Sequence, residues 1–184
     1  NRDKSGYENL ENVTCDCICV SGNWTPTVHL ASQSGNKLKF DEKINAFIPS
    51  QSRQNESTIG SANGSFTLKK SLEEGFNKGQ ELSQKITRKN VKSTTPTSNE
   101  RSYTQHDKFW CMPLPKNKHY KRCVDFQNDV YVSDIELAVR EGFRSIEHVK
   151  RYTTLGMATD QGKTSNLNGL QLVSDIENKI IPKV

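Results

Sequence analysis

Apolar residues recur at three-residue steps from Leu167 through Leu170 and Val173 to Ile176, a spacing that places them on one face of a helix. Two shorter helical patterns precede it. Val124–Val132 leads into Ser133-Asp134-Ile135-Glu136, a capping box in which Ser133 and Glu136 satisfy each other's amides. The helix that follows turns Ile135, Ala138 and Val139 inward and stops at Gly142. Ser145 opens the next one, with Ile146 and Val149 as its apolar side and His148 in its first turn beside Glu147. Between this helix and the Leu167–Ile176 one, Thr153–Lys163 reads as a turn rich in amides and hydroxyls, better suited to a cofactor or a partner surface than to a core. Three helices over roughly 55 residues make a unit of marginal size for folding alone.

Earlier in the chain the pattern is weaker. Val13–Val20 reads as a strand ending in Ser21-Gly22-Asn23, and Thr27–Ser32 starts a helix behind Pro26, whose fixed φ suits a first helical turn. Lys37–Phe40 and Ala46–Ile48 are short strands around Asp41-Glu42-Lys43. Thr58-Ile59 is a strand remnant and Gly60–Gly64 a tight turn. Ser65 or Thr67 then caps a helix carrying Leu68, Leu72, Phe76, Leu82 and Ile86, in which Gly75 and Gly79 would admit another backbone closely. Strand, glycine turn and helix in that order aim backbone N–H groups and a helix dipole at one point, as a diphosphate requires. Plain connection is the commoner use of such a turn, and the Gly-x-Gly-x-x-Gly fingerprint is absent. Thr87–Asp107 is polar throughout and reads as a linker, so the domain boundary falls there, and the apolar patch Phe109–Met112 docks on a neighbour.

Composition narrows the function classes. Of 184 residues only 32% are apolar, which predicts a thin core. The net charge of +5 is spread along the chain with no basic block interleaved with aromatics, so no nucleic-acid partner is expected. Nothing approaches the roughly 20 apolar residues of a membrane helix, and no apolar signal segment follows Asn1-Arg2-Asp3-Lys4. The expectation is a soluble, cytoplasmic chain whose Asn-x-Ser/Thr triplets at Asn12, Asn23, Asn55 and Asn63 are unmodified. Five cysteines show no disulfide framework. Cys15, Cys17 and Cys19 share one face of the predicted strand and read as small buried hydrophobes, since a thiolate metal site would need a fourth ligand. No metal site is expected. His29 and His148 lack a nucleophile or carboxylate at a telling spacing, so no catalytic residue is assigned, and Trp24 reads as core.

Val124-Asp125-Phe126-Gln127-Asn128-Asp129-Val130 and His148–Asn168 resemble the α subunit of heterotetrameric sarcosine oxidase. So do VSGNWTPTVHLASQSG at Val20–Gly35, AFIP at Ala46–Pro49 and IGSANGSF at Ile59–Phe66, in the same order. One departure is Asn23, where the family has a second glycine; Asn tolerates positive φ well enough for the turn to survive. The resemblance implies an α+β or α/β chain that is an internal segment of a longer subunit. Residues 1–86 would be the carboxy-terminal part of a dinucleotide-binding domain, 87–107 a linker, and 108–184 a small helical domain. That domain resembles bacterioferritin-associated ferredoxin, a [2Fe–2S] module, in which the cluster cysteines of related amine and opine dehydrogenases would fall near Asp125, Gln127, Asp160 and Ser165. None of these is cysteine, so no iron–sulfur cluster is expected.

The resemblance further implies NAD contacts at Gly60, Ser61, Ala62, Phe66 and Leu68. It implies proximity to FMN or to the β subunit at Lys150, Arg151, Thr153, Thr154, Gln161, Lys163 and Thr164. In the family FMN lies at the boundary of α and β, attached to a β-subunit histidine. FAD and the amine-oxidising site belong to β, and tetrahydrofolate to a separate domain of α. The implied activity is that of a β-, γ- and δ-associated oxidase that demethylates sarcosine to glycine with hydrogen peroxide production and one-carbon transfer, this segment supplying no catalytic group. The α subunit of a related amine or opine dehydrogenase, or a non-catalytic binding module of the same fold, are the alternatives.

Overall fold

Short apolar runs separated by long polar ones give each core little material, and in the computed structural model they gather into two small interiors. The structure describes residues 13–19, 24–88, 93–100, 110–112 and 120–183. It divides into a unit built on residues 24–108 with Ile181–Lys183 and a unit built on residues 109–180, with which the described residues 13–19 are grouped. The architecture is α+β, with helices and two separate two-stranded sheets.

In the first unit a short helix α1 (His29–Gln33) precedes strands β1 (Leu38–Asp41) and β2 (Ala46–Pro49), which pair antiparallel with Leu38 opposite Pro49 and Asp41 opposite Ala46. Edge-on packing of Phe40 and Phe47, with ring centres 5.3 Å apart, supports the pair. Ala31, Ala46, Ile48 and Ile181 make up most of the apolar interior. The glycine turn is one turn of 3₁₀ helix, Gly60–Asn63, and Thr58-Ile59 ahead of it is not a strand. Helix α2 (Leu68–Thr87) follows, and of the two cap candidates Thr67 does the capping, its hydroxyl accepting Lys70 N–H at 3.3 Å. No residue of α2 is buried. Space around Gly79 is open and Gly75 faces only the Ile59 side chain, so the expected close approach of a second backbone does not occur among the described residues. Along its surface Glu81 bridges Lys78 and Lys85, which pull its carboxyl down to about 2.

The expected strand at Val13–Val20 is a correction. Residues 13–19 are irregular and exposed, and Cys15, Cys17 and Cys19 are therefore exposed thiols rather than buried hydrophobes. Alternating β-prone residues become a strand only when a neighbour accepts the ladder bonds, and none of the described residues pairs with them. Trp24 is likewise 71% exposed and not core. The turn Ser21-Gly22-Asn23, most of the linker and Phe109 lie outside the described residues.

The second unit holds hairpin strands β3 (Cys123–Asp125) and β4 (Val130–Tyr131), then helices α3 (Val132–Arg140), α4 (Ile146–Thr153) and α5 (Asn166–Glu177). Val124, Val130, Val132, Ile135, Ala138, Val149, Leu155, Leu172 and Val173 form one contiguous interior. The capping box sits two residues upstream of the expected pair: Tyr131 is the N-cap and Asp134 accepts its N–H at 2.8 Å. The hairpin explains the shift, because burying both Val130 and Val132 starts the helix directly at the end of β4. Glu136 instead faces Arg122 at 3.5 Å. On α5 the buried stripe runs through Gly169, Leu172 and Val173, rotated slightly from the predicted one, and Ile176 is exposed. Among the described residues no helix is long and apolar enough to cross a membrane.

Candidate functional site

The turn between α4 and α5 is built from the inside outward. Leu155 is fully buried and plugs the helical core, while Thr154 on its N-terminal side takes positive φ to end α4. Asp125, at the end of β3 and only 1% exposed, accepts Gly156 N–H at 2.8 Å and the Ser165 hydroxyl at 3.3 Å with one oxygen. Its other oxygen accepts Gln127 N–H at 2.9 Å and closes the hairpin. Asn128 Nδ2 donates to Thr154 O at 2.8 Å. The amide of Asn166 lies against both turn glycines: a Cβ on Gly156 would stand 1.9 Å from its Oδ1, and one on Gly162 2.1 Å from its Nδ2. Both positions require glycine on packing grounds as well as for their positive φ.

The second half of the turn is organised by Asp160. Its carboxylate accepts the Thr164 hydroxyl at 2.6 Å, Thr164 N–H at 3.1 Å and Gly162 N–H at 3.1 Å. These donors, the Thr164 hydroxyl foremost and with help from Gln127, hold its carboxyl below the ordinary aspartate range. Of the four positions at which the resemblance places cysteines, Asp125 accepts both the Ser165 hydroxyl and Gln127 N–H, while Asp160 is held by Thr164 and Gly162. Nearby, burial pushes the Cys123 thiol up, with Asp129 and Asp125 adding to the effect.

Of the expected FMN-side residues, Thr153 and Thr164 spend their hydroxyls locally, on Val149 O and Asp160, and Thr154 on Thr153 O. Gln161 and Lys163 are exposed on the turn, and Lys150 and Arg151 lie in the last turn of α4, Arg151 exposed. Two large apolar side chains join this face from adjacent backbone: Phe126, 84% exposed, and Met157, 58% exposed. The bond from Gly156 N–H to Asp125 makes their segments neighbours. Exposed apolar side chains of this size are surface that a partner could cover.

The expected NAD-side residues lie in the other unit. Gly60 takes positive φ and donates its N–H to Glu74 at 2.8 Å, while Ser65 donates its hydroxyl to the second oxygen of Glu74. Leu68 N–H donates to Glu100. Ser61 and Leu68 are exposed, and Ala62 and Phe66 half-buried. Beside this turn runs an open groove of about 530 Å³, lined among others by Asn36, Ser52, Glu56, Asn63, Glu74 and Lys78. Hydrogen bonds from Ser34, Ser52 and Asn36 hold the Glu56 carboxyl below its usual range. A carboxylate of the chain therefore already sits at the amide of the glycine turn, so a ligand there meets side chains and the 3₁₀ surface rather than a vacant Gly60 N–H.

Sequence reasoning did not find Asp125, Asn128 and Asn166 as anchors of the turn, nor Glu56 and Glu74 as groove residues. The one local signal for Asp125 was an acid ending an apolar run, three residues before Asn128.

Residues 119–184 match the family described as the sarcosine oxidase A3 domain. Over 165 residues, 89% of its length, the chain is 34% identical to sarcosine oxidase subunit alpha of Rhizobium meliloti (strain 1021). It is 32% identical over 177 residues to sarcosine oxidase subunit alpha of Corynebacterium sp. (strain U-96). The chain spans only 16% and 17% of the length of these curated relatives. Both are named as subunits, and so as parts of multi-subunit oxidases. The chain is therefore similar to a portion of the sarcosine oxidase alpha subunits, one that includes the A3 domain at residues 119–184.

Proposed function

We propose that this chain is the docking segment of a sarcosine oxidase-type α subunit. Residues 108–184 form a ferredoxin-like helical domain without a cluster, whose turn at 154–164 faces FMN and the β subunit. Residues 1–86 complete a dinucleotide-binding domain for NAD, and 87–107 link the two. The observation that carries this reading is the contrast within the turn: fixed inwardly by Asp125, Leu155 and Asn166, it presents Met157, Gln161 and Lys163 outward as exposed side chains, of which Gln161, among the described residues, bonds only to Ala158 O of the turn itself.

The assembly, with β, γ and δ subunits in the cytoplasm, would oxidise sarcosine to glycine, release hydrogen peroxide and hand the one-carbon unit to tetrahydrofolate. The flavins supply the electron transfer when bound. What these residues do is bind and orient: Lys163, Arg151 and Lys150 set positive charge beside the face, and Phe126 and Met157 exclude water from it. For a [2Fe–2S] cluster the donor set does not fit, since Asp125, Gln127, Asp160 and Ser165 offer no thiolate and already bond to one another. This disfavours the amine or opine dehydrogenase reading. At the glycine turn, contact with NAD would fall to the exposed Ser61 and Leu68, with Ala62 and Phe66 half-buried beside them.

Met157→Ala combined with Lys163→Glu in the full-length subunit, co-expressed with its partner chains, tests the docking role. Both side chains are exposed, so the melting temperature should hold while flavin content and subunit co-purification fall together. Unchanged co-purification and flavin absorbance would remove the turn from the interface, and iron absorbance in the wild-type complex would restore the dehydrogenase reading.

A further inference from the structure

Asp125 is more than the hairpin needs. One oxygen closes the hairpin turn through Gln127 N–H, which an exposed aspartate does equally well. The other reaches across 31 residues to Gly156 N–H and across 40 to the Ser165 hydroxyl, tying the two ends of the exposed turn to one buried point. Its four hydrogen-bond partners among the described residues, Asn128 N–H at 3.4 Å being the fourth, are neutral. Burying a carboxylate against neutral donors is costly compared with an apolar plug, and Leu155 already supplies such a plug next to it.

We infer that Asp125 is a positioning residue for docking: it fixes the shape of the 154–165 turn so that Met157, Gln161 and Lys163 meet the flavin-bearing partner in register. This rests on the docking role proposed above. The turn cannot be held by apolar packing alone, because its outer residues are exposed and its glycines offer no side chain. A hydrogen-bonded carboxylate at the base supplies direction, through fixed donor geometry, where an apolar contact would allow sliding.

The test separates positioning from plain stability in the full-length subunit assembled with its partner chains. Asp125→Asn keeps the size of the side chain but replaces one acceptor with a donor. Val149→Ala removes bulk from the same core and deletes no side-chain bond of the turn, which Val149 meets through its backbone carbonyl, the acceptor of the Thr153 hydroxyl. Melting temperature, subunit dissociation constant and flavin-to-protein ratio are measured for both. Positioning predicts that D125N weakens assembly about tenfold more than V149A does per degree of melting temperature lost. Ser165→Ala, which removes one bond and leaves the carboxylate, should deviate in the same direction and covers the case in which D125N does not fold. If assembly tracks melting temperature identically in all three, the inference is overturned while the docking role stands. If M157A/K163E leaves assembly intact, the docking role fails and the positioning role fails with it.

Discussion

Asp160 shows how a single side chain sets the state of this surface. The Thr164 hydroxyl and the N–H groups of Thr164 and Gly162 favour its ionised form, so its folded pKa lies below its unfolded one. A depressed carboxyl contributes stability that is fully present above the unfolded value, about 3.9, and is lost as pH falls through the folded value. Melting curves of wild type and Asp160→Asn should therefore differ at neutral pH and converge as pH drops below the ordinary aspartate range. A difference that persists unchanged well below that range would show that the charge is not what the turn uses. Residues of this kind were hard to read in the sequence. Asp160 and Thr164 are four apart and in principle visible, but the partners of Asp125 lie 31 and 40 residues away, and no local pattern announces a bond of that span. The three cysteines at 15, 17 and 19 misled for the opposite reason, since their alternation is local while burial depends on a neighbour.

Among the elements, the three helices of the 120–180 unit were legible because each carries its own period and stop signal: Gly142 after α3, Ser145 before α4 and the leucine-rich repeat of α5. The start of α3 was not, because the burial of Val130 and Val132 in the hairpin overrode the Ser133–Glu136 box. How α5 meets the turn is a packing fact that only the fold supplies. Gly169 is buried in the helix, and a Cβ there would stand 2.3 Å from Leu155 Cδ2. Alanine should gain about 1 kcal/mol of helix propensity, but Leu155 is enclosed and overpacking typically costs about 1–3 kcal/mol. Gly169→Ala is thus expected to be destabilising on balance, by about 1 kcal/mol, in chemical denaturation followed by circular dichroism. A gain in stability would mean that Leu155 moves aside freely and is not the plug described.

At the scale of the molecule, each unit has a small apolar interior and a polar or unpartnered outer surface: α2 buries no residue, and Phe126 and Met157 stand in solvent. The chain spans 16% and 17% of the length of these relatives, and the docking role proposed above is what would give such surfaces a partner. The family was legible because runs such as RYTTLGMATDQGKTSN keep residue order along nearly the whole chain. The docking claim itself can be read at one sulfur. Met157 is 58% exposed, and thioethers in water oxidise readily to the sulfoxide. In dose-controlled oxidative footprinting of the full-length subunit, Met157 should be modified quickly when the subunit is dissociated and several-fold more slowly in the flavin-loaded complex, with Met112 read in the same digest as a second reporter. Equal rates at Met157 in the two states would contradict the assignment of this turn to the interface.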